Sequence, residues 1–560
     1  MTMERVWHKH YEKGVPTEID AKKYASINEV TEQAFKKFAD KESFYCMGKC
    51  FTWGEMDILT KKFASYLQND LGLKKGDRFA MMMPNILQYP IALFGALRAG
   101  LIVVNVNPLY TARELEHQLN DSECETILIF ENSCHTLQEA LPKTKIKNIL
   151  TTGIGDLLGF PKAMIVNFVI KHVKKMIPDW DLPNTIDFKT VLFDANADHY
   201  KSVDCNLDDT AFLQYTGGTT GVAKGAVLTH GNIVANIVQA KAWIDNELKE
   251  GEETIITPLP LYHIFSLTAN CMIFAIMGAK NILITNPRDM KGFVKELKKH
   301  KFTAFTGVNT LFNGLLHAEG FKDIDFSSLK LTLGGGMAVQ REVAEKWKKV
   351  TGVPLIEAYG LTETSPAACI NPMDLKDYNS KIGLPIPSTD ACILDDNDNK
   401  LPTGEIGEIA IKGPQVMKGY WNRPDETAKV MTADGFFKTG DVGFMDENGF
   451  FQIVDRKKDM ILVSGFNVYP NEVEDVVVSH PKVFEAAAIG VPDDHSGEVV
   501  KVYVVRSDDS LTEEELKAYC KEHMTGYKRP KFVEFRDELP KSNVGKILRK
   551  ELRKEVQASA

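Results

Sequence analysis

Long unbroken apolar runs are missing from this chain of 560 residues. Its most apolar stretches, Tyr89 to Val106 and Cys271 to Thr285, are broken by Arg98 and Lys280. Neither holds the roughly 18–20 consecutive apolar residues that span a bilayer, so any membrane attachment is expected to be peripheral. A cationic surplus is missing too. Lys and Arg number 67 against 76 Asp and Glu, a net charge of −9, which argues against nucleic acid as a general partner. The nine cysteines are scattered; the closest pair, Cys46 and Cys50, lacks a second Cys/His pair at zinc-ligand spacing, and the set reads as reduced thiols. From Met1 to Tyr11 the charged Glu4, Arg5, His8 and Lys9 leave no room for an apolar signal core, so the expected location is cytoplasmic. Internal repeats and low-complexity linkers are absent as well.

What is present is ordinary globular composition, 44% hydrophobic and 26% charged, over a length beyond the ~250–300 residues at which one core stops growing. Two or more domains are expected. From Cys50 onward short apolar strands alternate with amphipathic helices. The spacing of Met56, Leu59, Phe63 and Leu67 predicts a helix from Trp53 to Leu71 stopped by Gly72. Arg78 to Met83, Leu101 to Val106 and Thr126 to Phe130 read as strands, with helices at Pro90 to Ala99 and Ala112 to Leu119; Phe302 to Phe305 and Leu329 to Leu333 resume the strand pattern. Such alternation predicts an α/β fold of parallel sheets covered by helices, with ligands at the carboxyl ends of strands. After about Asp455 the pattern becomes a small α+β unit: a helix at Asn471 to Val478, strands at Phe484 to Val491 and Val499 to Val505, and a helix opened by a capping box from Ser510 to Glu513. This sets a division into a domain of residues 1–457 and a mobile lid of residues 458–560.

The densest chemical signal is Tyr215-Thr216-Gly217-Gly218-Thr219-Thr220-Gly221-Val222-Ala223-Lys224-Gly225. Its glycines free the backbone to converge N–H groups on one anion, its threonines add hydroxyls and Lys224 adds a cation, the makings of a phosphate cradle. It is not a Walker A loop, since that form needs Gly immediately before Lys and here Ala223 stands there. Further along lie Gly334-Gly335-Gly336, then Tyr359-Gly360-Leu361-Thr362-Glu363-Thr364, Lys438-Thr439-Gly440-Asp441, Asp455-Arg456-Lys457-Lys458-Asp459, and Pro540-Lys541-Ser542-Asn543-Val544-Gly545-Lys546. Taken singly, each has a structural reading: Asp441 as a turn residue, Tyr359 as a core aromatic, Glu363 as a solvated charge, Lys546 as part of a basic tail.

As an ordered set over more than 300 residues, these motifs resemble the adenylate-forming superfamily of acyl-CoA synthetases, nonribosomal-peptide adenylation domains and luciferases. Ile284 to Asp289 and Ile461 to Pro470 are similar to the bacterial long-chain fatty-acid CoA ligases within it. The resemblance implies ATP, Mg²⁺ and coenzyme A, with Thr216 to Lys224 on the β- and γ-phosphates, Glu363 on Mg²⁺ and Thr362 at the α-phosphate. It implies adenine against Tyr359, Gly335, Gly336 and Gly360, and ribose hydroxyls on Asp441 and Arg456. Lys546 is implied to reach the charge developing between carboxylate and α-phosphate, and Lys458 to be the hinge. His263, Gly334, Ser464, Gly465 and Phe466 are implied to line the acyl and thiol channel. The implied function is activation of a long-chain fatty acid through an acyl-adenylate. Open alternatives are another acid (medium-chain, branched or aryl), a carrier protein as acceptor, or a lipid-binding protein with a vestigial ATP site.

Residues 161–177 add a separate expectation. Drawn as a helix ended by Pro178, they place Ile165, Phe168, Val169, Val173, Met176 and Ile177 on one face and Asn167, Lys171, Lys174 and Lys175 on the other. The pattern fits an interfacial anchor on the cytoplasmic face of the inner membrane, or a helix packed on the body or on a partner subunit. A homodimer is left open.

Overall fold

The protein is described here from a computed structural model that covers residues 5–216, 223–464, 466–493 and 496–559. An eight-stranded sheet runs, in spatial order, Gly419–Tyr420, Lys224–Thr229, Thr210–Thr216, Ile102–Val106, Arg78–Met82, Thr126–Phe130, Asn148–Thr152 and Thr185–Asp187. It is parallel from Thr210–Thr216 to its far edge. The Ile102–Val106 and Thr126–Phe130 strands are buried at every position, which is why they read as unbroken apolar runs: helices cover both faces. A nine-stranded sheet carries the parallel strands Thr254–Thr257, Ala304–Gly307, Leu331–Gly334 and Leu355–Gly360 at its centre.

The helices follow the sequence pattern with shifted ends. Trp53–Asn69 is opened by a capping box in which Thr52 accepts from the Glu55 N–H and buries Met56, Phe63 and Leu67. It stops two residues before the expected Leu71. The strands expected at 302–305 and 329–333 lie at Ala304–Gly307 and Leu331–Gly334.

Between the second large sheet and the lid sits the smaller β-subdomain, four antiparallel strands ending in Phe437–Met445 and Phe451–Arg456. The lid begins its own sheet at Ile461–Val463 and holds its own core of Val473, Val477, Val502, Val504 and Leu516. Its helix Glu513–His523 is capped by Thr512, which accepts from the Glu515 N–H. The expected cap, Ser510, instead donates its own N–H to Asp508 in a turn.

Residues 161–177 also differ from expectation. The segment is α-helical only over Lys162–Phe168 and widens into a π-helical turn at Val169–Val173. Asn167 faces inward rather than joining the lysines, accepting from the Gly155 N–H at 2.8 Å and donating to Asp156 at 2.7 Å. That contact turns Met164, Ile165 and Phe168 toward solvent, more than half exposed each. Among the described residues no helix is long and apolar enough to cross a membrane.

Candidate active site

The carboxyl ends of the central strands, the β-subdomain and the lid enclose one cavity of about 780 Å³. Its polar end is lined by Thr216, Lys224, Thr362, Glu363, Arg456 and Lys546, and its apolar arm by Ala240, Ile244, Ile273, Phe274, Leu331 and Met373. Of the cradle residues, Tyr215, Thr216 and Lys224 line it; Gly217, Gly218, Thr219, Thr220 and Gly221 lie outside the described residues.

A slot with backbone walls opens beside the polar end. Gly335 and Gly336 line one side and Tyr359 and Gly360 the other. A side chain on Gly335 would put its first carbon 2.9 Å from the Ala358 carbonyl, and Gly336 holds φ at +76°, so only glycine leaves the slot open. On Gly360 the same carbon would fall 1.8 Å from the Pro366 carbonyl oxygen. The Tyr359 hydroxyl donates to Asp441 Oδ2 at 2.6 Å, and Arg456 Nε meets Asp441 Oδ1 at 3.1 Å. Asp441 and Arg456 are cross-strand neighbours, so sheet register brings two residues 15 positions apart in sequence to one point. Burial and the Asp441 carboxylate push the Tyr359 hydroxyl well up, so it stays a donor.

Glu363 is 8% exposed and accepts from the Tyr420 hydroxyl at 2.8 Å; burial raises its carboxyl above the usual range. Lys224 forms an ion pair with Glu426 and lies over the Tyr420 ring, 5.2 Å from its centroid. Tyr420 and Glu426 were not among the sequence candidates. The signal that could have found them is the aromatic turn Gly419-Tyr420-Trp421 running straight into a helix of which Glu426 is a first-turn residue. Tyr215, near the end of its strand, donates its hydroxyl to Asp121 at 2.7 Å.

Lys546 enters from the lid. Burial, then the neighbouring Arg456 guanidinium, lower its ammonium to about 7. His263 also lines the cavity, and burial, with the Lys546 charge behind it, lowers its imidazole to about 4. It is therefore neutral, with Nδ1 accepting from the Phe265 N–H at 3.4 Å. Lys458 lines the cavity as well, and burial lowers it to about 8.

Two of the expected channel stretches lie off the cavity with the lid as it stands here. Gly334 does not line the cavity: a carbon added there would meet Leu355 at 2.6 Å and Val339 at 2.8 Å, so it is a packing glycine between the neighbouring strand and the loop that leads into the helix Arg341–Thr351. Ser464 and Phe466 stand outside the cavity too, because the lid presents its Lys541–Lys546 side; Phe466 is 56% exposed and stacks on Tyr527 at 4.8 Å. Gly465 lies outside the described residues.

A protein-family model described as AMP-binding enzyme matches residues 31–421, and one described as AMP-binding enzyme C-terminal domain matches residues 472–546. The chain belongs to the AMP-binding enzyme family. The family's two parts correspond to the large domain and the lid seen here. Long-chain-fatty-acid–CoA ligases of Escherichia coli O6:H1 and Yersinia pestis are 56% and 57% identical to this chain, covering 99% of it and 99% and 98% of themselves. The enzyme of the same name from Bacillus subtilis is 40% identical over 99% of both chains. Among solved structures, ATP-bound MatB from Rhodopseudomonas palustris superposes with a TM-score of 0.80 at 26% identity, covering 95% of this chain and 99% of that one. o-Succinylbenzoate CoA synthetase from Bacillus subtilis, in complex with its acyl-adenylate intermediate, gives 0.74 at 27% identity over 94% and 97%.

Proposed function

We propose that this chain activates long-chain fatty acids with ATP, forming an acyl-adenylate and then an acyl-CoA thioester, with residues 1–457 and 458–560 as its two moving parts. A carboxylate alone is a poor acyl donor, because oxide is a poor leaving group. In the first half-reaction a carboxylate oxygen attacks the α-phosphorus, the bond to pyrophosphate breaks, and the acyl group becomes attached to AMP. Lys224 and the glycine loop bind the departing phosphates, while the Lys546 ammonium stands where negative charge grows between acid and phosphorus. Asp441, already bracketed by Tyr359 and Arg456, accepts from the ribose hydroxyls, and the glycine-walled slot admits the adenine. Glu363, a buried carboxylate on the cavity wall that accepts from the neutral Tyr420 hydroxyl, fits Mg²⁺, which protein sites hold through one or two carboxylates plus substrate phosphates. When bound, the ion supplies charge neutralisation on the phosphate oxygens. In the second half-reaction the CoA sulfur attacks the acyl carbon, AMP leaves with the C–O electron pair, and Lys546 must first withdraw with the lid.

The observation that carries this reading is the continuity of the cavity. Its cationic end passes directly into an arm walled by Ile, Phe, Leu and Met, which suits an acid with a long alkyl tail rather than a polar one. The test is thioester formation across a series of acids, followed together with pyrophosphate release. Long-chain acids are expected to give both products. Preference for short or aryl acids would move the substrate class, adenylate without thioester would point to a carrier protein, and no acid-dependent pyrophosphate would leave a lipid-binding protein.

The same proposal includes docking on an anionic membrane through residues 161–177, with Phe160 just ahead of them. Phe160 is 88% exposed and Phe168 59%, with Met164, Ile165, Val173 and Met176 beside them and Lys171, Lys174 and Lys175 at the far end. Apolar rings with flanking lysines suit the headgroup boundary, each lysine contributing about 1 kcal/mol near an anionic surface. Changing Lys171, Lys174 and Lys175 to Glu is expected to lower partitioning onto phosphatidylserine vesicles by about 10²-fold or more, leaving activity on detergent-dispersed acid near normal. Unchanged vesicle binding at low salt would defeat the anchor, and concentration-dependent dimerisation lost on Phe168→Asp would assign the strip to a second copy.

A further inference from the structure

The loop that carries Lys546 is closed on itself. The Gly545 N–H donates to the Ser542 carbonyl at 3.0 Å, the Lys546 N–H to Ser542 Oγ at 3.1 Å, and the Ser542 N–H to the Lys546 carbonyl at 2.7 Å. Such a loop moves as a unit, so where Lys546 stands depends on what holds the unit in place. The large domain holds it from one helix, Asn309–His317. Thr310 Oγ1 donates to the Gly545 carbonyl at 2.9 Å. One turn on, Asn313 Nδ2 donates to the Phe484 carbonyl at 3.0 Å, and the His317 ring lies edge-on to the Phe484 ring at 5.2 Å. The approach is at backbone distance: Gly545 holds φ at +82°, and a carbon added there would lie 2.8 Å from Thr310 Oγ1. The helix itself is fixed, since Asn309 donates to Gln340 Oε1 at 2.9 Å and accepts from the Gln340 N–H at 2.9 Å.

We propose that Thr310 and Asn313 form the latch that seats the lid for the first half-reaction, each acting as a positioning residue for Lys546. Neither hydroxyl nor amide needs to touch substrate. Both bonds go to lid carbonyls, so rotation about the Lys458 region breaks them together and frees Lys546 to leave the cavity. The inference rests on Lys546 serving adenylation, as proposed above, and on nothing else in that reading.

The variant Thr310→Val keeps shape and removes the donor. Acyl-adenylate formation is expected to fall roughly fivefold, the size of one hydrogen bond, and further in Thr310→Val/Asn313→Leu. Thioester formation from supplied acyl-adenylate should be unchanged or faster, thermal stability should hold, and Thr310→Ser should restore the first step. A label pair, one fluorophore on each domain, should report a displaced lid in the double variant without substrates. Parallel loss of both half-reactions, or an unmoved lid with wild-type adenylate formation, would overturn the latch. If Thr310→Val does not fold, Thr310→Ala with the same two readouts replaces it. Should Lys546→Ala leave adenylation intact, the role of Lys546 fails, while the label distance still decides the latch.

Discussion

Replacing Lys546 with alanine is expected to cut acyl-adenylate formation by about 10²–10³-fold, the size seen when one preorganised charge stabiliser is removed, while thioester formation from supplied acyl-adenylate persists. The asymmetry follows from geometry. Lys546 lines the cavity only because the lid seats its loop there, and the second half-reaction has no use for a cation between acid and phosphate. The pH dependence has a definite sign. A lowered ammonium loses its proton as pH rises through about 7 rather than near the ordinary lysine value of 10.5. The free enzyme is therefore competent below that point, and kcat/KM for adenylation should fall as pH climbs past it. Lys546→Arg, which keeps its charge throughout, should lose that limb. Equal damage to both half-reactions, or a limb that survives in Lys546→Arg, would remove Lys546 from the role.

Lys458→Pro should have the opposite profile: adenylation near normal and transfer to CoA down by about 10²-fold, as expected when reacting groups are no longer brought into register. Lys458 lies in the turn between the last strand of the β-subdomain, Phe451–Arg456, and the first strand of the lid, Ile461–Val463. Proline there fixes φ near −65° and pushes Lys457 out of the helical region, restricting two residues that must change conformation if the lid turns. The seated arrangement has anchors of its own beyond the turn: the Asn471 N–H donates to Asp455 at 2.9 Å, and Arg549 meets the same carboxylate at 3.5 Å. A variant that runs both steps at wild-type rates would place the pivot elsewhere.

Much of this protein was legible in one dimension because its information is local. Glycines, threonine hydroxyls and a terminal cation are carried by a few adjacent residues, so the expectation of a cradle from Thr216 to Lys224 needed no tertiary information. Nor did the alternation of buried strands with helices, since strands covered on both faces leave continuous apolar runs. Where the outcome depends on which of two similar options the chain packs around, the sequence was silent or misleading. Ser510 and Thr512 are both competent caps, and Asp508 decided between them by taking the Ser510 N–H. Asn167 looks polar and therefore outward, yet Asp156 and Gly155 supply partners that turn it in and leave the apolar strip exposed.

The sequence alone determined the type of chemistry: the order of motifs and the residue types suited to phosphate, ribose and a metal. The tertiary structure decided where they act. Sheet register sets Asp441 against Arg456, crowding makes Gly334 a packing residue and Gly335 a wall of the slot, and the seated lid puts Lys546, not Phe466, in the cavity. The physical reason is that propensity and motif are carried by neighbours along the chain, whereas a cavity is made of surfaces far apart in sequence, whose meeting depends on close packing and on which buried polar groups find partners.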